Sequence, residues 1–420
     1  MTTGPARTVA SPPLQLQQAL ATVLAFAFAY FLSALLRAVT ATLAPVFSSE
    51  LGLSPADLGL LAGAYFLGFA AMQLPLGRAL DRFGARRVLF VLLSAAVVGC
   101  LAFALAGTLV SLIAARLLIG MGVSACLMAP LTCFRHLFDT STQLRLNSWM
   151  LMTGSLGMLA STLPVQLLLP IAGWRGLFNI LAALLVLAIV LVAWHVPRAR
   201  PVAGSPTDGR YRDIARHPSF VAMAPLGFFN YGGLIAIQSL WAGPWLTQVS
   251  ARSAIQAAEG LFAINLSMLC AFMLWGVVMP RLVRAGVRPL SLIAWGLPGS
   301  VAMLAWIVVL GPAAGATHWA AWCVLSTLVS LSQPAVGQAF APALAGRALS
   351  AFNLLIFAGV FCVQWGIGLG VDALGSAGWG KVAAFQGAMA LFGLCCAASH
   401  IWFVWRRRRM PIIRGDTAPQ

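Results

Sequence analysis

Arg37 and Arg116 are the two basic residues that fall deep inside long apolar runs of this sequence. Carrying a charge to the middle of a bilayer costs at least about 2.5 kcal/mol on insertion scales. Such a charge is retained where it faces a cavity, a partner or an anion. Carboxylates that would neutralise these arginines are missing at that depth. Asp57, Glu259 and Asp372 stand near the ends of apolar runs, and Glu50 stands in the polar break after the first run. The chemistry open to Arg37 is therefore recognition of an anionic group such as a carboxylate. Its competing role is structural, with the side chain snorkelling or donating to nearby backbone carbonyls. Neutral polar residues also stand on apolar runs: Asn230, Gln238, Asn265, Gln333, Asn353 and Gln364, with Trp241 and Trp365 close to two of them. Each either reaches a bound solute or bonds a neighbouring helix, the latter worth about 0.6 kcal/mol on average. Arg37, Gln238, Trp241, Gln364, Asn230 and Asn353 form the candidate set for solute contact.

Bond-breaking chemistry finds little support. Neither H-E-x-x-H nor G-x-S-x-G occurs, and His136, His195, His217, His318 and His400 fall at the ends of apolar runs or between them. A nucleotide-binding phosphate loop needs lysine followed by serine or threonine, whereas the single lysine, Lys381, precedes Val382. The eight cysteines all lie in apolar stretches without a C-x-x-C pair, which reads as small buried hydrophobes and not as disulfides or metal ligands. No enzyme, cofactor or metal site is expected.

The elements that must position these residues follow from composition. Of 420 residues, 61% are hydrophobic and 8% charged, and the mean hydropathy is +0.92. A soluble chain carries roughly 25% charged residues, so a soluble enzyme, a nucleic-acid binder and a disordered tail are excluded. Apolar runs cover about 19–46, 57–79, 86–106, 109–131, 146–170, 175–196, 219–249, 255–280, 289–311, 317–343, 348–373 and 381–405. A spanning helix takes about 20 such residues, and barrel strands are far shorter. The first run exceeds a signal-peptide core and follows a weak basic leader, so it reads as a retained helix. The fold class is all-α integral membrane, with twelve transmembrane helices in two pseudo-symmetric six-helix bundles.

The net charge of +17 is then a topology signal. With the N-terminus inside, every basic residue except Arg37, Arg116, Arg175, Arg252 and Lys381 falls on the inner side. Cytoplasmic loops attract lysine and arginine in this way. The expected organisation is a cytoplasmic tail 1–18, a bundle 19–196, a cytoplasmic loop 197–218, a bundle 219–405 and a basic cytoplasmic tail 406–420. A weak repeat supports the halves: the glycines and arginines of Gly77–Arg87 after the second run and Gly276–Arg288 after the eighth correspond if the second copy carries two extra residues. Paired halves of this kind hold a substrate near mid-bilayer.

The stretch Gly77-Arg-Ala-Leu-Asp81-Arg82-Phe-Gly84-Ala-Arg86-Arg87 resembles motif A of the major facilitator superfamily, G-x-x-x-D-R-x-G followed by basic residues. Arg116-Leu-Leu-Ile-Gly120-Met-Gly122 resembles that family's R-x-x-x-G-x-G motif, and Gly173-Trp174-Arg175 is also common in it. The resemblance covers about 19–405. It implies an inner gate made by Asp81, Arg82 and Arg86, with Gly77, Gly84 and Arg87 in the same turn. It also implies gating or coupling roles for Arg116 and Gly120. Glycine at 77 and 84 suits close backbone approach and a tight turn. Asp81 suits a charge-assisted bond or a cap on a helix of the other half. The arginines are also accounted for as topology determinants alone. The sequence departs from the family at Ala85, at Pro280 where the second half would hold an aspartate, and in lacking the exporters' Gly-Pro pair in the fifth helix.

The expected function is secondary active transport of a small organic solute by alternating access, as import of an anionic metabolite driven by an ion gradient. The coupling ion is open; a proton would ride on the solute or pass through Asp57 or Glu259. The alternatives are a proton-coupled drug or metabolite exporter and, more distantly, a transport-inactive receptor or an intramembrane enzyme. The expected partners are the solute, the coupling ion and the lipid bilayer, without nucleic acid. The protein is expected to work as a monomer in a bacterial-type inner membrane.

Overall fold

The computed structural model describes residues 16–198 and 211–408. Most of the expected N-terminal tail, with Arg7, most of the C-terminal tail, with Arg409 and Arg414, and the middle of the expected central loop, with Arg200 and Arg210, lie outside the described residues. Among the described residues there is no strand.

The first helix, α1, spans Leu16–Glu50. The next helical stretch, Pro55–Leu105, has 51 residues. At 1.5 Å per residue that is about 76 Å, more than twice a hydrocarbon core. Gly84 breaks it, with φ 75° and ψ 161°, a conformation essentially reserved for glycine. The result is α2 (55–83) and α3 (85–105). The fourth helix, α4, covers Leu109–Arg135 with a turn at 124–127. Thr140–Ala160 continues past a short turn as far as Gly173, whose φ of 63° again interrupts the helix. This gives α5 (140–172) and α6 (174–195). After a short helix at Tyr211–Arg216 come α7 (Pro218–Val249), α8 (Ala254–Arg284), α9 (Pro289–Leu310), α10 (Ala316–Gln338), α11 (Pro342–Ser376) and α12 (Lys381–Arg407). Among the described residues, ten helical stretches are long and apolar enough to cross a membrane. With the break at Gly84, and with α5 counted apart from α6, the arrangement is consistent with twelve spans.

Local chemistry explains where the helices start. At α2, Ser54 Oγ accepts the Asp57 backbone N–H at 3.2 Å while Asp57 Oδ2 accepts the Ser54 N–H at 3.1 Å. Thr108 with Ser111 and Ser253 with Gln256 repeat this reciprocal cap at α4 and α8, each satisfying two amide donors that the helix leaves open. Helix pairing then relies on small residues, because lipid offers no hydrophobic drive between helices. A side chain at Gly120 of α4 would collide with the Tyr65 carbonyl of α2, and one at Gly122 with Ala96 of α3. Phe47, Phe103, Phe178 and Trp174 pack edge-on or tilted at ring distances of 4.1–5.9 Å and join α1, α3 and α6. Helices α1–α6 pack into one bundle and α7–α12 into the other, meeting mainly through α2 against α11 and α1 against α7.

Candidate functional site

A cavity of about 970 Å3 lies between the bundles, lined from α1, α2, α4 and α5 on one side and α7, α8, α10 and α11 on the other. Its lining runs along each helix toward the arginine-rich end: Gln73 precedes Arg78, Leu131 precedes Arg135, Val277 precedes Arg281, and Leu349 follows Arg347. The opposite end is closed. There Gly59 and Gly63 of α2 press on Gln364 and Phe361 of α11, Gly368 of α11 presses on Pro55, and Gly243 of α7 presses on Ala41 of α1. A carboxylate clamps the same junction. Asp372, on the last turns of α11, accepts Ser54 Oγ–H at 2.8 Å and the Ala56 backbone N–H at 3.0 Å on one oxygen. A negative group from one bundle thus sits on the positive N-terminus of α2 in the other.

Arg37 lines the cavity, half-buried, and among the described residues lining it Arg37 is the one charged side chain. Its Nη2 donates to the Met158 sulfur at 3.4 Å, and its buried Nε has no hydrogen-bond partner. A thioether is a weak acceptor, so the protein leaves most of the guanidinium's donor capacity unsatisfied. Tyr30 and Tyr231 also line it, and Tyr231 stands within electrostatic reach of both Tyr30 and Arg37. From Tyr231 a chain of polar groups crosses three helices: its hydroxyl lies 3.4 Å from Gln333 Oε1, and Gln333 Nε2 donates to Asn353 Oδ1. Gln238 donates to Asn265 Oδ1 at 2.8 Å, and this pair also lines the space. The other walls are apolar and rich in methionine: Met128, Met152, Met158, Met268 and Met273 all contribute.

The structure thus brings Arg37, Gln238 and Asn353 of the candidate contact set to one cavity. Three others lie elsewhere. Asn230 is directed to α12, donating to Ser399 Oγ at 2.6 Å and the Cys396 carbonyl at 3.2 Å. Trp241 is fully buried at the closed end and donates its indole N–H to the Gln364 carbonyl at 3.1 Å. Gln364 is equally buried, bonded through Nε2 to Ser239 Oγ at 3.0 Å, with Oε1 unpartnered. Three π-helical stretches interrupt α7, at Leu226–Tyr231, Ile237–Trp241 and Trp245–Val249. Each widened turn shifts the angular register that an α-helical period assumes. Tyr30 and Tyr231 escaped the sequence reading. Their signal was scarcity: the chain has four tyrosines, and these two stand mid-run.

Arg116 differs from Arg37. It is 1% exposed, donates to the Leu36 carbonyl at 3.0 Å and to Thr40 Oγ1, and lies over the Tyr65 and Phe103 rings. Each residue of its motif therefore meets a different neighbour: Arg116 holds α1, Gly120 admits α2 and Gly122 admits α3. The Gly173-Trp174-Arg175 segment also pins helix ends. Trp174 Nε1 donates to Glu50 at 2.8 Å, and Arg175 Nη2 donates to the Ala106 carbonyl at 3.3 Å.

In the motif A turn, Gly84 supplies the break, Arg86 Nη1 donates to the Val196 carbonyl at 3.5 Å, and Arg82 stacks beside Phe83. Arg87 is exposed. Asp81 is also exposed, and among the described residues it has no hydrogen bond or ion pair. Gly77 meets open space, with nothing within 4 Å of where a Cβ would stand. The close approach expected of Gly77 is not made in this arrangement, because the cavity is open on that side. Of the carboxylates considered for proton passage, Asp57 serves the α2 cap and Glu259 is exposed; neither lines the cavity.

Comparison with known proteins agrees with this architecture. The chain is 27% identical over 154 residues to a probable sulfoacetate transporter, SauU, of Cupriavidus necator, a stretch that is 37% of this chain and 36% of that protein. It is 26% identical over 171 residues to a putative multidrug resistance protein, MdtD, of Cronobacter sakazakii, 41% of this chain and 36% of that protein. The chain thus spans about a third of the length of the curated relatives it matches. Among solved structures, a D-xylose–proton symporter superposes with a TM-score of 0.75 at 16% identity, over 95% of this chain and 100% of that one. The POT family transporter PepTSo gives 0.76 at 16% identity over 95% and 99%. These likenesses establish the fold. The sequence pattern of the Major Facilitator Superfamily matches residues 26–363, and with that match the chain belongs to this family of membrane transporters, which are not enzymes.

Proposed function

We propose that the protein is an alternating-access carrier for a small organic anion, imported at the expense of an ion gradient. One observation carries this reading: a lone guanidinium, with a thioether as its hydrogen-bond partner, lines a cavity between the bundles whose lining holds no acid among the described residues. A charge left so at mid-depth is stabilised by an anion that arrives with the solute. The partial similarity to a probable sulfoacetate transporter supports the same solute class. The arginine-rich end is taken as cytoplasmic by the positive-inside rule, which makes this arrangement the inward-open state and puts both tails in the cytoplasm of a bacterial-type inner membrane. Bundles 19–196 and 219–405 act as the two rocking bodies around the loop 197–218, in a functional monomer. Asp81, with Arg82 and Arg86, closes the cytoplasmic side in the opposite state, where its exposed carboxylate would gain a partner. A proton that drives import travels with the solute, since no carboxylate lines the cavity among the described residues.

The test is equilibrium binding of labelled 2-naphthalenesulfonate to purified protein in nanodiscs. Arg37→Ala is expected to abolish specific binding without unfolding the protein, and Arg37→Lys to retain part of it. Unchanged affinity in Arg37→Ala would remove the anion reading. A second reading, export of a drug or metabolite, draws support from the methionine-rich walls and the partial similarity to a putative multidrug resistance protein. Flux direction in oriented vesicles separates the two.

A further inference from the structure

The cavity is large and unevenly furnished. Arg37 and the Tyr231–Gln333–Asn353 chain line it together with the Gln238–Asn265 pair, Gln73, Tyr30 and five serines, and most of what remains is thioether, aliphatic and aromatic. Phe69 and Phe357, from opposite bundles, meet with ring centroids 4.5 Å apart on the apolar wall. Met152 and Met273 stand toward the arginine-rich mouth, 42% and 59% exposed. We infer that the solute is an organic monoanion with a substantial apolar body, its charged head on Arg37 and its body along the methionine wall toward the mouth. This rests on the anion reading above and narrows it.

Three physical arguments lead there. A volume of 970 Å3 corresponds to about thirty water molecules. A two-carbon anion would leave most of that water against apolar walls, and the bundles would then have to close over it. An apolar body releases that water and gives the walls something to close on. Methionine supplies the walls with flexible, polarisable contacts that fit bodies of varied shape. Charge sets the other limit: with one guanidinium among the described lining residues, a second negative charge on the solute would stay uncompensated at mid-depth.

The experiment measures competition against labelled 2-naphthalenesulfonate, with the full chain in nanodiscs. Competitors are methanesulfonate, benzenesulfonate, 2-naphthalenesulfonate, the dianion sulfoacetate and the neutral 2-naphthalenesulfonamide. Affinity is expected to rise from methane- to benzene- to naphthalenesulfonate by about tenfold per step, from the apolar area each ring buries. Sulfoacetate and the sulfonamide are expected to bind at least tenfold more weakly than 2-naphthalenesulfonate. Met152→Gln and Met273→Gln, at partly exposed positions, are expected to compress the ranking while leaving benzenesulfonate and methanesulfonate closer to wild type. If methanesulfonate or sulfoacetate competes as well as the naphthalene compound, and Arg37→Ala abolishes both, the apolar-body inference falls while the anion reading stands. If the sulfonamide competes equally, in wild type and in Arg37→Ala, the anion reading falls and takes this inference with it. Absence of binding by every sulfonate overturns the inference as well.

Discussion

Two arginines in the same membrane are stabilised by opposite means. Arg116 is held by the protein through the Leu36 carbonyl, Thr40 and two aromatic faces, although its Nε, like that of Arg37, has no hydrogen-bond partner. Arg37, 1 residue after Leu36 on the same helix, lines a cavity and has a thioether as its hydrogen-bond partner. The two should therefore separate in mutagenesis. Arg116→Ala leaves a buried carbonyl and hydroxyl without their charged donor and opens a void, a loss of about 3 kcal/mol. A fall of several degrees in the melting temperature of detergent-purified protein would be the readout. Arg116→Lys should recover part of it, because an ammonium does not reproduce the planar fork. Arg37→Ala should leave the melting temperature near wild type. Both arginines were legible in the sequence because charge in an apolar run is rare. The neutral residues were not, since amides serve equally as interhelical bonds: Asn230 bonds α12 and Gln364 bonds α7, whereas Gln238 and Asn353 reach the cavity.

Helix positions were legible from hydropathy, and the two breaks from glycine beside basic or aromatic residues. Hydropathy says nothing, however, of which helices touch. The Asp372 clamp shows this: its two halves lie 316–318 residues apart, and each alone is an ordinary helix end. Asp372→Asn removes the charge from the hydrogen bonds to Ser54 and Ala56, which are worth about 1.5–3 kcal/mol each when charged and roughly half that when neutral. The population should shift by about tenfold toward a state open at that end. Spin labels at Gly107 and Gly315, both in open space on the closed side, would report longer distances; an unchanged distribution would show that the clamp does not hold the closure. Gly120 tests packing instead. Gly120→Val forces a side chain into the Tyr65 carbonyl, and overpacking of this kind costs about 1–3 kcal/mol or more. Lower yield of folded protein and a lower melting temperature are expected, with Gly77→Ala, in open space, near wild type.

At the scale of the whole molecule, two bundles enclose a cavity of about 970 Å3, closed at one end by glycine contacts and a carboxylate cap and open at the arginine-rich end. On the proposed gating roles, the exposed Asp81 is the released cytoplasmic gate and the bonded Asp372 the made one. Fold class and family were legible because lipid imposes long apolar helices and because the motif A glycines and charges are spaced by a turn. The cavity's make-up was not, since the residues that line it come from eight helices and share no sequence pattern. Counterflow in proteoliposomes tests the central claim most directly, because exchange requires one site to face both sides in turn. Unlabelled 2-naphthalenesulfonate inside should accelerate entry of the labelled compound through the wild-type protein, and Arg37→Ala should abolish that acceleration. Exchange by the Arg37→Ala protein at the wild-type rate, or no acceleration by the wild type, would contradict it.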